Sequence, residues 1–166
     1  MRIVKETLEE AFTDLISTSL EDNELEISPY VEAYVVDVVA SLSSGVHEMV
    51  SRSVFLNDLL REALDSNGLM RREYLRVTGD VALFVSGIFP DSLESRKTWF
   101  HLGDYIDIGQ TAYGNIQTEV FDELSIKFPQ MVDVLNDVSI NIDMTSKNLA
   151  RYIRRRRTID ARVTRR

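Results

Sequence analysis

Cysteine is absent from the 166 residues. That excludes a disulfide framework, a thiolate zinc or iron–sulfur site and a cysteine nucleophile. Proline is scarce, with three residues, and so is tryptophan, with one. Sparse proline leaves long stretches free to form helices. No apolar run nears the roughly 20 residues that span a bilayer. The opening MRIVKETLEEAF carries acidic residues where a secretory leader needs a basic and then an apolar stretch, so the expected setting is cytoplasmic. Phosphate-binding glycine loops, a Rossmann fingerprint, the kinase set, a G-x-S-x-G elbow, H-E-x-x-H and the paired E-x-x-H of di-iron bundles are missing as well. No motif therefore nominates a catalytic residue, a metal ligand or a cofactor, and the reading leans away from an enzyme.

What is present is an ordinary globular composition, 44% hydrophobic and 28% charged, enough for one domain with a real core. The charge is unevenly placed. Residues 1–146 hold 10 basic and 26 acidic side chains, a net −16, while residues 147–166 hold 9 basic and 1 acidic, a net +8. The chain thus divides into an acidic helical body, 1–146, and a basic C-terminal helix or tail, 147–166, of the same domain.

Hydrophobic periodicity predicts helices throughout. Over 3–20, Val4, Leu8, Ala11, Phe12, Leu15, Ile16 and Leu20 recur at 3–4 spacing. Ser28-Pro29 is a helix start, a hydroxyl cap followed by a ring that fixes φ. Residues 29–43 are rich in valine, a strand former, yet Val31, Tyr34, Val35, Val38, Val39 and Leu42 make one helical stripe and fail strict alternation. A stripe from Val46 to Leu64 is expected to stop at Asn67-Gly68. Residues 69–89 form the most apolar helix. Residues 91–97 read as a polar connector, 98–127 as one long helix or two, and Pro129 opens a helix to about Ile142. The fold expected is all-α, a compact bundle of six to eight helices with antiparallel neighbours.

Five of seven glycines fall between Gly79 and Gly114, together with Trp99, Phe100, Tyr105 and Tyr113. A helical glycine costs about 1 kcal/mol against alanine, so close approach of a neighbour is the expected compensation. Gly79 and Gly87 share a helical face, and Gly103 and Gly114 nearly eclipse. A rarer reading is a small pocket lined by Arg96, Tyr105, Gln110 and Tyr113. Asp80 interrupts the apolar 69–89 stretch. If buried it requires a partner such as Arg96 or a tyrosine hydroxyl, and a structural ion pair outranks a catalytic acid there. His101 and Asp104, spaced i, i+3, could share a metal face, with His47 joining only if the fold brings it near. An Asp104 pairing or a solvated helix face is the commoner outcome.

The stretch GDVALFVSGIFPDSL, then Arg96, then DYIDIGQTAYGNI, resembles a family of uncharacterised bacterial helical proteins. The shared pattern is Gly-x-Phe-Pro-[Glu/Asp], then an arginine, then Tyr-x-x-x-Gly-x-x-Ala-Tyr, carried here by Gly87, Phe89, Pro90, Asp91, Arg96, Tyr105, Gly109, Ala112 and Tyr113. The later FPQMVDVLNDVS is similar to that family's next helix, so the likeness covers about residues 70–152. It implies a helical fold in a bacterial cytoplasm and assigns no activity. The run Arg154–Arg157 is not part of the pattern.

The basic segment offers Arg151, Arg154, Arg155, Arg156, Arg157 and Arg162 as contacts to a polyanion or a partner. Leu149, Tyr152 and Ile153 give it an apolar edge. Docking on the acidic body, in the same chain or a neighbour, ranks first on charge. Nucleic-acid phosphates rank second, because the −16 body repels them and no reading motif is present. An anionic membrane and a purely solvated tail rank last. Together these features favour a non-enzymatic module for a protein partner or a homo-oligomer. Nucleic-acid binding through the arginines is the alternative, followed by a ligand or enzymatic pocket near Arg96, Tyr105 and Tyr113.

Overall fold

A computed structural model describes residues 2–45, 55–91 and 101–141, the side chains of residues 2–7 excepted. Among them are seven helices and no strand: α1 (Arg2–Asp22), α2 (Pro29–Ser43), α3 (Leu56–Asp65), α4 (Gly68–Ile88), α5 (Leu102–Gly114), α6 (Glu119–Ile126) and α7 (Phe128–Asn141). The chain is an all-α bundle. Val46, His47, Met49, Val50, Arg96, Trp99, Phe100 and the whole basic segment lie outside the described residues.

α4 is the axis. Every residue from Thr78 to Ile88 is buried, so this stretch is covered on all sides. It packs against α2, α3, α5 and α7, with α5 as its most extensive neighbour. A helix that is apolar all round has to sit inside, and ALFVSGI leaves no face for water. α1 contributes Leu8, Phe12, Ile16 and Leu20, one buried residue every four, and packs on α2 and α7. Burial also decides α2. Val31, Val35, Val36, Val38 and Val39 are all interior, and this outweighs the strand preference of valine. Its start is locally encoded: Ser28 Oγ accepts from the Val31 N–H at 3.3 Å, and Pro29 occupies the first turn.

Glycines set how closely the layers approach. A Cβ on Gly79 would fall well inside 3.0 Å of the Tyr113 ring, and one on Gly109 would meet the Phe128 ring as closely. At Gly87 it would stand 2.7 Å from Leu135 Cβ. Gly79 and Gly87 of α4 and Gly109 of α5 thus receive side chains from α5 and α7, and not the neighbour's backbone. Gly103 lies in open space at the exposed first turn of α5. Close approach on that helix is therefore carried by Gly109, and by Gly114, where a Cβ would stand 3.0 Å from Ser125 Oγ, and not by a Gly103–Gly114 face.

One boundary differs from expectation, and one open alternative is decided. Asn67-Gly68 does not terminate α3. That helix ends at Asp65, Asn67 is the extended residue before α4, and Gly68 opens α4 with φ 63°. A two-residue connection lets one glycine reverse the chain. Residues 98–127 hold two helices beyond their undescribed start. The break after Gly114 is made by Gln117 at φ 62° and by Asn115, whose Nδ2 donates to the Thr111 carbonyl at 2.7 Å. Four buried or half-buried side chains then tie the layers: Ser19 Oγ to Val134 O at 2.9 Å, Ser139 Oγ to Ile88 O at 2.8 Å, and Gln110 and Ser125 in a reciprocal pair at 3.0 and 2.7 Å.

Candidate functional site: a buried carboxylate cluster and an acidic groove

The polar centre of the bundle is Asp80, 6% exposed, on the buried stretch of α4. Its Oδ1 accepts from the Tyr34 hydroxyl of α2 at 2.5 Å and from the Tyr113 hydroxyl of α5 at 2.8 Å. Its Oδ2 accepts from Arg76 Nη1, one turn earlier on α4, at 2.8 Å. Arg76 also grips Glu73 through both Nε and Nη2 and reaches the surface there. Aromatic rings wall in the tyrosines. Phe121 stacks on Tyr113 at 5.4 Å between centroids and meets Tyr34 edge-on at 5.1 Å, while Phe128 lies 5.9 Å from Tyr113.

Burial pushes the Asp80 carboxyl up to about 6, against the tyrosine bonds and the Arg76 charge, which pull it down. Desolvation of the charged form wins over three donors. Both tyrosines are held far above their ordinary range, first by burial and then by the Asp80 charge, so they remain hydroxyl donors at any physiological pH. Arg76 stays charged, its Glu73 bond being the largest cause. The result is a closed network in which each Asp80 oxygen has a donor, and it joins α2, α4 and α5 at one point. Chemically it can hold three helices in register and exchange one proton near pH 6.

The expectation that a buried Asp80 would take a tyrosine hydroxyl is met twice. The cation is Arg76, and Arg96 lies outside the described residues. The signal for Arg76 was in the sequence as the i, i+4 spacing Arg76–Asp80. Nothing local signalled Tyr34, 46 residues away. Of the proposed pocket residues, Tyr113 is fully buried with its hydroxyl on Asp80, Tyr105 is buried, and the Gln110 amide donates to Ser125 O. His101 precedes α5, and its backbone N–H donates to Asp104 Oδ2 at 2.7 Å, closing that helix's first turn. Among the described residues no group of three or more His, Cys, Asp or Glu is placed to hold a metal.

The surface of α1 and α2 carries two adjoining grooves. The larger, about 630 Å³, is lined by Glu21, Glu24, Glu26 and Glu32 together with Leu20 and Ile27. The smaller, about 470 Å³, shares Glu32 and adds Glu9 and Asp37 beside Pro29, Ala33 and Val36. The carboxylates of Glu21, Glu24, Glu26 and Glu32 have no ion-pair partner among the described residues. At the groove's edge Lys127 Nζ donates to the Glu26 carbonyl at 2.7 Å, and Glu123 Oε2 accepts from the Ser28 N–H at 3.0 Å, fixing α6 against the start of α2.

No helix among the described residues is long and apolar enough to cross a membrane. Comparison with family models, curated proteins and solved structures returned no match. The fold and the site together define an all-α bundle centred on a satisfied Tyr–Asp–Tyr–Arg network, with an acidic groove on one face.

Proposed function

We propose that this chain is a non-enzymatic helical module that works by contact with a protein partner, a second copy included. The observation that carries the reading is the turn between α3 and α4. Leu64, Leu69 and Met70 sit within seven residues of one another and are 38%, 84% and 60% exposed. Apolar side chains grouped this way are common at contact surfaces, whereas isolated ones need no explanation. The closed Asp80 network supports the same reading, since its donors and acceptors are spent on one another. A cytoplasmic setting and kinship with the bacterial helical family belong to this proposal.

Sedimentation of full-length protein over a hundredfold concentration range tests the self-association form. Mass should rise with concentration in the natural chain and stay monomeric in Leu69→Ser/Met70→Ser. A natural chain that remains monomeric throughout removes that form and leaves a different partner.

The charge division favours a second reading, nucleic-acid binding through Arg151, Arg154, Arg155, Arg156, Arg157 and Arg162. A labelled DNA or RNA titrated at two salt concentrations against full-length protein, and against a variant with Arg154–Arg157 replaced by glutamine, separates the two. Phosphate contact demands steep salt dependence that the variant loses. Equal weak binding by both ends that reading. A small molecule co-purifying near Tyr105 and Tyr113 would instead point to ligand binding.

A further inference from the structure

We propose that the adjoining grooves on α1 and α2 seat the chain's own arginine-rich segment, residues 147–166, within the same molecule. This goes beyond the partner reading and does not depend on it. Three independent observations converge on this occupant.

The first is charge. Glu21, Glu24, Glu26 and Glu32 surround the larger groove and lack ion-pair partners among the described residues. The segment brings nine basic side chains and one acidic. Arginine suits such a groove because its planar fork binds carboxylates in pairs and its stem covers apolar surface. The second is the apolar lining. Leu20 is buried, and Ile27 and Leu25 are half-buried beside the carboxylates. Leu149, Tyr152 and Ile153 are the apolar residues the segment could set against them.

The third is reach. α7 runs alongside the end of α1, where Ser19 Oγ donates to Val134 O and Asn23 Nδ2 donates to Asp137 Oδ2 at 2.7 Å. The described chain ends at Asn141, one helical turn past Asp137, and Glu24 is the neighbour of Asn23. α7 thus ends beside the last turn of α1, the turn that carries Glu21 at the groove. Five residues separate Asn141 from Lys147, six Cα steps that span at most about 20 Å when extended. A same-chain segment on so short a tether has a high effective concentration at the groove, which a second copy must match by mass action. A seated segment would also have to leave the groove before its arginines could meet any other polyanion.

Limited trypsin digestion of the full chain tests this, because cleavage after Arg151 and Arg154–Arg157 reports their accessibility. The comparison variant is Glu21→Gln/Glu24→Gln/Glu26→Gln/Glu32→Gln, which keeps size and shape, with helicity checked by circular dichroism. At 0.15 M salt the natural chain should lose its C-terminal segment about tenfold more slowly than the variant, as four exposed ion pairs of the usual modest worth would sum to. The difference should vanish in 1 M NaCl, where screening is nearly complete. Protection should also be the same at 1 µM and 100 µM protein (assay concentrations, about a hundredfold apart). Equal cleavage of the two proteins at low salt overturns the proposal. Protection that grows with protein concentration overturns it in favour of a second copy.

Discussion

The substitution Gly79→Ala sets two rules of helix energetics against each other. In a solvent-facing helix the change would stabilise, because alanine exceeds glycine in helix propensity by about 1 kcal/mol. Here the new methyl enters the space of the Tyr113 ring. That ring has little room to retreat. It is fully buried, its hydroxyl is on Asp80 at 2.8 Å, and Phe121 and Phe128 pack on it at 5.4 and 5.9 Å. Overpacking of a filled core costs about 1–3 kcal/mol, and moving Tyr113 also weakens a hydrogen bond to a buried carboxylate, worth about 1.5–3 kcal/mol. The loss outweighs the propensity gain, for a net destabilisation of about 2 kcal/mol. At this chain length that lowers Tm by roughly 4–8 °C. Urea and thermal unfolding followed by far-ultraviolet circular dichroism measure it. Gly103→Ala is the control: nothing lies within 4 Å of its new methyl, so its stability should be unchanged or slightly raised. Tyr113→Leu should cost less in the Gly79→Ala background than in the natural chain, because the two side chains compete for one space. A Gly79→Ala protein as stable as the natural one would refute the close-approach argument.

Other outcomes follow from the same geometry. Asp80→Ala leaves the Tyr34 and Tyr113 hydroxyls without their acceptor in the core and should cost about 2–4 kcal/mol in urea unfolding, whereas Asp80→Asn keeps an oxygen for both and should cost clearly less; equal losses would mean the hydroxyls have other partners. The natural chain compared with Asp80→Asn should also show a pH dependence of definite sign. The folded protein raises the Asp80 carboxyl from 3.8 to about 6, so it binds the proton more tightly than the unfolded chain does. That contribution to stability is full below about pH 4 and is lost as pH rises through about 6, a change of about 3 kcal/mol. Paired urea melts at pH 4, 5, 6 and 7 read it directly, and parallel curves for the two proteins would contradict the burial argument. Ser28→Ala removes the acceptor for the Val31 N–H and should cost about 1 kcal/mol, less at Ser28→Asn, which can cap as well.

Some of this architecture could be read residue by residue. The 3–4 spacing of Leu8, Phe12, Ile16 and Leu20 encodes the buried face of α1, and Ser28-Pro29 places the start of α2 without help from any distant contact. Helices are local, so period and cap suffice. The apolar character of residues 69–89 likewise announced the most apolar helix, whose second half is covered on all sides. The glycines announced that something comes close, but not what. Whether Gly79 faces a backbone, a methyl or the Tyr113 ring depends on how α5 lies across α4.

The sequence by itself determined the helices, most of their ends, the division of charge, and the requirement that a buried Asp80 find donors. Only the tertiary structure decided which donors: Tyr34 and Tyr113 stand 46 and 33 residues from Asp80, and no periodicity connects them. It also decided that α7 ends beside the last turn of α1, where Asn23 meets Asp137 across 114 residues. Local spacing fixes which face of a helix is apolar. Which helices then share that interior follows from packing volumes and hydrogen-bond partners that no short window of residues contains.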